Sequence, residues 1–207
     1  MHTIRLNLLA AFVLAAPASD PEATEVTVKE LLRQVRDCVP TISDPLEHAD
    51  FSHRLALAYA KAGEREMAAT IISDALSSLG TAQRDAARDS LLAMIAESQS
   101  RLGMLTAAIA TADRIDAEGM KWLALERVAD AVAASGRVEE ACDVVDRIDD
   151  AFYRDTALGT VAEAAAMHAD LKHVWPIFKS ITCTRERSVA QVLVVLQLLR
   201  RGRLDLK

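Results

Sequence analysis

Glycine and proline are scarce in this 207-residue chain, with seven and five copies. That leaves few positions for the tight turns on which a β-rich fold depends. Aromatic residues make up only 4%, although 51% of the chain is apolar, much of it alanine. Such a mixture favours helices packed closely through small side chains. An excess of basic charge is also missing: the formal charge is −6 and the pI about 5.4. Basic residues cluster only at Arg200-Arg201-Gly202-Arg203, so the electrostatic footprint of a nucleic-acid binder is absent.

The three cysteines, Cys38, Cys142 and Cys183, are too few and too scattered for a disulfide framework, and no CxxC spacing occurs. No P-loop, GxGxxG, GxSxG or HExxH pattern is present either. No motif therefore points to a cofactor, a metal or a catalytic centre. The expectation is a protein that is not an enzyme.

The longest apolar stretch stands at the beginning. His2 and Arg5 give a short basic start, Leu6 to Ala16 is apolar except for Asn7, and Ala16-Pro17-Ala18 has the A-x-A form of a cleavage site. Eleven residues of helix rise only about 16 Å, half of a bilayer's hydrocarbon core. Residues 1–18 are expected to be a signal peptide removed near Ala18-Ser19, leaving a periplasmic or secreted chain. An intact Met1 in the exported protein would contradict this.

The rest is periodic. Basic residues recur at Arg88, Lys121, Arg154 and Arg187; small ones at Gly103, Gly136, Ala169 and Gly202; isoleucine at Ile115, Ile148 and Ile181; and Asp116, Asp149 and Thr182 follow them, all with a period of 33. Each unit reads as a first helix of about 15 residues, a glycine turn, and a second helix of about 11. Asp116, Asp149 and Thr182 are expected to cap the first helices. Leu125, Val128, Ala129, Val132 and Ala133 form one apolar stripe. Leu158, Val161, Ala162, Ala165 and Ala166 repeat it, while Val138, Ala141, Val144, Val145 and Ile148 face it from a second helix. Cys142 takes the slot of Ile109 and Trp175 and reads as a small core residue.

Gly63 precedes Gly103 by 40 residues rather than 33, and the turn Leu79-Gly80-Thr81-Ala82-Gln83 is the expected place of the extra length. Upstream, Thr27 and Glu30 form a capping-box pattern for a helix through Val28, Leu31, Leu32 and Val35, ending near Pro40. Asp44 and Pro45 restart the chain as cap and first turn. The expected division is residues 19–42 with one amphipathic helix, then residues 43–207 as four repeats and a terminal half repeat, about ten helices in all.

In the first repeat, Leu55-Ala56, Tyr59, Gly63, Ala68, Ile72 and Ala75 resemble the signature of the tetratricopeptide repeat. Later units keep Ala96, Ala129 and Ala162 at one small position, Ala108 and Ala141 at another, and Phe178 at a large one. They depart from it in having Gln99, Val132 and Ala165 where the tyrosine stands, in lacking the closing proline, and in a period of 33. The resemblance implies an all-α, right-handed superhelix whose first helices line a concave groove for a peptide or a partner's helix. It implies no catalytic residues.

Two features suggest where binding would occur. Glu97, Asp130 and Glu163 share one repeat position, on the side that the resemblance turns inward, with Glu126 and Met167 beside them. Such a row would favour a basic peptide, unless it serves solubility and is paired with Arg101 and Arg127. The final helix is apolar nearly all round, and Val189, Val192, Leu193, Leu196 and Leu199 are expected to form an interface, with a homo-oligomer as one outcome. His48, His53, His168 and His173 lack ligand spacing for a metal and read as surface and turn residues. The other readings are a helical accessory subunit of an enzyme, a metal-dependent hydrolase, and a structural module within a larger assembly.

Overall fold

The computed structural model describes residues 28–200; the expected signal peptide, Thr27 and Gly202 lie outside them. Among the described residues the chain is all-α, with ten helices and no strand. They are α1 (Val28–Cys38), α2 (Pro45–Lys61), α3 (Arg65–Leu79), α4 (Ala86–Arg101), α5 (Leu105–Ala112), α6 (Glu118–Ala134), α7 (Val138–Val145), α8 (Ala151–Met167), α9 (Leu171–Ser180) and α10 (Thr184–Arg200). From α2 to α9 they pair as α2–α3, α4–α5, α6–α7 and α8–α9. Each first helix also packs on the first helix of the next pair. Neighbour-on-neighbour packing of this kind is compatible with a helical-repeat solenoid.

The core follows the period seen in the sequence. All three quoted stripes on α6, α7 and α8 are buried, as are Ile115, Ile148 and Ile181. The alanines among them are fully enclosed, which lets neighbouring helix axes approach closely. Leu55, Ala56, Tyr59, Ala68, Ile72 and Ala75 are buried in the first pair.

The turn inside each pair is one motif used four times. Gly63, Gly103 and Gly136 have φ near +85°, and Ala169 takes the same slot at φ 63°. The amide of this residue donates to a carbonyl three residues back, as Gly136 does to Ala133. The next amide reaches five back, as Arg137 does to Val132. That pair of bonds is a Schellman motif, which needs a left-handed residue.

The first-helix caps depart from expectation. Asp116, Asp149 and Thr182 stand one residue before the actual N-cap positions. Asp44, Asp85 and Asp150 cap α2, α4 and α8, each accepting from two backbone amides. The cap of α6 is Ala117, which has no side-chain acceptor. There, Asp89 of α4 accepts from the amides of Ala117 (2.9 Å) and Asp116 (3.3 Å). At the start of α10, Asp155 of α8 accepts from the amides of Thr182 and Cys183 and from the Thr182 hydroxyl. Asp116 itself turns to Arg84 and Arg88. Every first helix thus receives a carboxylate at its positive end, three from their own chain turn and two from the preceding repeat.

Three of the four periodic basic residues serve the opposite pole. Arg88 donates to the Leu79 carbonyl at the end of α3, Arg187 to the Ile181 carbonyl after α9, and Lys121 pairs with Asp113 at the end of α5. Cations at a helix C-terminus complement its partial negative charge.

The extra length of the first repeat is placed in α3, not in the turn at 79–83. α3 has 15 residues against eight in each of α5 and α7, about two additional turns. α2 and α4 touch over a shorter stretch than the other neighbouring first helices. Helix α1 ends before Pro40 as the sequence implies, but of its four apolar residues only Leu32 is buried, while Val28 and Leu31 face outward. Its single neighbour of any extent is α2, so one side alone finds cover.

Candidate functional site

Glu97, Asp130 and Glu163 lie at matching positions on α4, α6 and α8, and none is buried. Because these helices stand side by side, the three carboxylates form a row across them. Partial desolvation against the neighbouring helices raises the Asp130 carboxyl above its ordinary pKa, with Arg101 opposing and Glu97 and Glu163 adding. Burial also raises Glu126, one turn before Asp130, with Asp130 adding and Arg127 opposing. Met167 is exposed one turn beyond Glu163.

The row is partly neutralised. Arg101 donates to Glu97 at 2.8 Å, and Arg127 stands 3.9 Å from the other Glu97 oxygen. Glu163 accepts from Gln197 of α10 at 2.7 Å. Four carboxylates, counting Glu126, therefore face two guanidinium groups, and Asp130 has no ion pair among the described residues. The face remains acidic at its middle.

A cleft of about 510 Å³ adjoins this row, between α2, α3 and α4. Its wall includes Leu57, Met94 and Glu97, with His53 and Ser98 at depth and Lys61 and Arg65 at the rim. His53 is not the surface residue expected from its spacing: it is buried, and Nε2 lies 2.8 Å from the Ser98 hydroxyl. Burial holds its pKa below the ordinary value, with Arg54 in the same sense and Asp50 and Glu97 opposing. The period itself carried the signal, since His53 falls on the inward stripe of Ala49, Ala56 and Ala60.

The other described histidines also have partners. His48 Nδ1 meets the Ser78 hydroxyl at 2.7 Å. The exposed His168 reaches the Ala134 carbonyl through Nε2 at 2.9 Å. His173 is held between Asp170 and Glu139, at 2.6 and 3.1 Å. Among the described residues no group of three or more His, Cys, Asp or Glu is placed to hold a metal ion.

Helix α10 packs on α8 through Ala190 and Val194. Val189, Val192, Leu196 and Leu199 are exposed as expected, but Leu193 is half-buried and Val195 takes its place on the outer face. Leu193 adjoins Val194 and follows Ala190 by three, which turns it toward the stack. Cys142 is half-buried rather than fully enclosed, and Trp175 in the equivalent slot is 61% exposed. Among the described residues no helix is long and apolar enough to cross a membrane. Compared with family models, curated proteins and solved structures, the chain finds no match in any of the three, so its reading rests on its own residues.

Proposed function

We propose that the chain is a non-catalytic protein-interaction scaffold, a tetratricopeptide-like superhelix whose first helices line a groove for a basic peptide or helix. The observation that carries this reading is the shared acidic face of Glu97, Asp130 and Glu163, with Asp130 in no ion pair among the described residues and its charge made costly by desolvation, to which Glu97 and Glu163 add and which Arg101 opposes. A cation brought to Asp130 relieves that cost. An adjacent apolar group such as Met167 supplies contact area. Neighbouring helix axes lie about 10 Å apart, and a peptide in the polyproline II conformation advances about 3.1 Å per residue with three residues per turn, so every third side chain faces the same way. Lysine or arginine at every third position therefore matches the row.

The expected result is that a Lys-Gly-Gly-Lys-Gly-Gly-Lys peptide binds more tightly than its glutamate counterpart. The triple substitution Glu97→Gln, Asp130→Gln and Glu163→Gln should weaken it about tenfold or more, about 1.4 kcal/mol, by fluorescence polarisation at low salt. Binding should also weaken on acidification, beginning at higher pH than for ordinary carboxylates, because Asp130 and Glu126 take up protons early. Equal binding by triple variant and parent contradicts the proposal.

The outer face of α10, with Val189, Val192, Val195, Leu196 and Leu199 exposed, supports a second contact, self-association among copies of the chain. Light scattering should show a concentration-dependent mass that Val192→Glu with Leu196→Glu abolishes. A constant monomer mass counts against it.

A further inference from the structure

The apolar residues on the outside of α10 form a seam. Val189, Val192, Leu196 and Leu199 are spaced three, four and three apart, and each is between 38% and 58% exposed. At 3.6 residues per turn they lie about half a turn from Ala190 and Val194, the residues buried where α10 packs on α8. The seam therefore points directly away from the stack. Alternating steps of three and four are what two helices need to interlock along one line.

The repeat says what this face does not take. Val192, Val195 and Leu199 stand 33 residues after Gly159, Ala162 and Ala166 of α8. Those small residues let α10 approach closely: a Cβ on Gly159 would meet the Ala190 Cβ at 3.6 Å, and Ala162 and Ala166 are fully enclosed. The same slots on α4 hold Ala93, Ala96 and Ser100, and the Ser100 hydroxyl donates to the Val128 carbonyl of α6. On α10 large residues fill these slots. They do not admit a further first helix at that close spacing, and they suit a wider contact filled by side chains.

The seam is also self-complementary. Positions 189 and 199, and likewise 192 and 196, are equidistant from Val194. Laid antiparallel on a second copy, Val189 meets the partner's Leu199 and Val192 meets the partner's Leu196. Glu186 and Arg200 flank the seam on one side and form no ion pair among the described residues. Antiparallel pairing sets Glu186 against the partner's Arg200, twice by symmetry, as flanking charges do in paired helices. Parallel pairing would set Arg200 beside the partner's Val195 and give Glu186 no cation.

We propose that α10 pairs antiparallel with α10 of a second copy about a two-fold axis, making a closed dimer. This rests on the self-association given above, and it adds the partner surface, its register and the stoichiometry. An isologous contact uses each seam once and stops at two copies. The axis runs perpendicular to the plane of the two helices, so both copies present the same side in the same direction. Leu196 takes the slot that follows Glu163 in the acidic row, and the two rows therefore lie on one side of the dimer with an apolar junction between them.

Light scattering on the full chain should show a mass that rises with concentration and levels at two copies. Orientation is read from single cysteines, in a chain carrying Cys38→Ala, Cys142→Ala and Cys183→Ala. Val189→Cys mixed with Leu199→Cys should give a disulfide between copies, and Val189→Cys alone should not. Glu186→Arg and, separately, Arg200→Glu should each weaken pairing about threefold or more, and the two together should restore it. Fraying of α10 would instead persist in the double variant. A monomer mass at every concentration overturns both this pairing and the self-association on which it rests. A dimer that cross-links through Val189→Cys alone, or that the double variant fails to restore, overturns the antiparallel pairing and leaves self-association standing. A mass that grows past two copies overturns the closed dimer.

Discussion

Replacing Asp155 by alanine is expected to cost about 2–3 kcal/mol, with the loss concentrated in α10. This carboxylate sits in α8 with 1% exposure and accepts from two backbone amides and one hydroxyl at the entry to α10. Removing it takes away a helix cap and charge-assisted hydrogen bonds between this turn and the preceding first helix. In a stack where each unit touches only its neighbours, damage at an end stays local. Hydrogen exchange should therefore show α10 amides opening much faster while those of α4 and α6 keep their protection. An unchanged exchange pattern in α10 would show that the bonds contribute little.

The same carboxylate predicts an acid limit. Burial alone would raise the Asp155 pKa, but the hydrogen bonds from Cys183 and Thr182, with Arg154 nearby, outweigh it and the net direction is down. A group with a lowered folded pKa contributes stability above its unfolded value of about 3.9. That contribution is lost as pH falls through the folded value. The Asp155→Ala variant should therefore differ most from the parent near neutrality, and the difference should close in strong acid. Asp130 and Glu126 run the other way. Their raised pKa values make their charge a cost above the folded pKa, and acid relieves it.

Gly136→Val is the second large effect expected, about 2–3 kcal/mol. The residue has φ +86°, where a β-branched side chain is strained. Its Cβ would also stand 3.4 Å from His168 Nδ1, and His168 is fixed by its bond to Ala134. Gly103→Val is the control, since a Cβ there meets nothing within 4 Å and only the backbone strain remains. Thermal unfolding should rank Gly136→Val below Gly103→Val, and His168→Ala should close the gap. In the fourth unit the substitution runs in reverse. Ala169 holds φ 63° without glycine's freedom, so Ala169→Gly should stabilise by about 0.5–1 kcal/mol after the added unfolded-state entropy is counted. Equal losses at both glycines, or destabilisation by Ala169→Gly, would refute this use of the turn.

Much of this architecture is readable from spacing alone. Ile115, Ile148 and Ile181 are at the core because one period carries one packing environment, and Gly63, Gly103 and Gly136 are left-handed because only such residues close that turn. What escaped is what depends on two repeats at once. Asp89 and Asp155 look like first-helix surface charges until the next helix is placed over them. Trp122 interrupts the series between them, so no period announces their shared role. The one-residue error at Asp116, Asp149 and Thr182 has the same origin: a good cap type beside the cap position is diverted to another partner, as Asp116 is to Arg84 and Arg88.

The candidate site divides along the same line. The acidic row is legible because its members share a repeat position, and the structure adds the partial pairing by Arg101. The cleft was not visible, because it arises where the repeat is irregular. The 40-residue spacing from Gly63 to Gly103 does not say whether the extra length lies in a loop or in α3, and the looser contact between α2 and α4 follows only once α3 is long. The distance of His53 to other histidines carries no signal, whereas its place on the stripe of Ala49 and Ala56 does.

The most direct test of the account is to map where a basic peptide lands. Amide shifts of the isotopically labelled chain, titrated with the Lys-Gly-Gly-Lys-Gly-Gly-Lys peptide, should change along one face of α4, α6 and α8 around Glu97, Asp130 and Glu163, and little on α5, α7 and α9. Shifts centred on the second helices, or none at millimolar peptide, would contradict the claim that the row of first helices is the binding face.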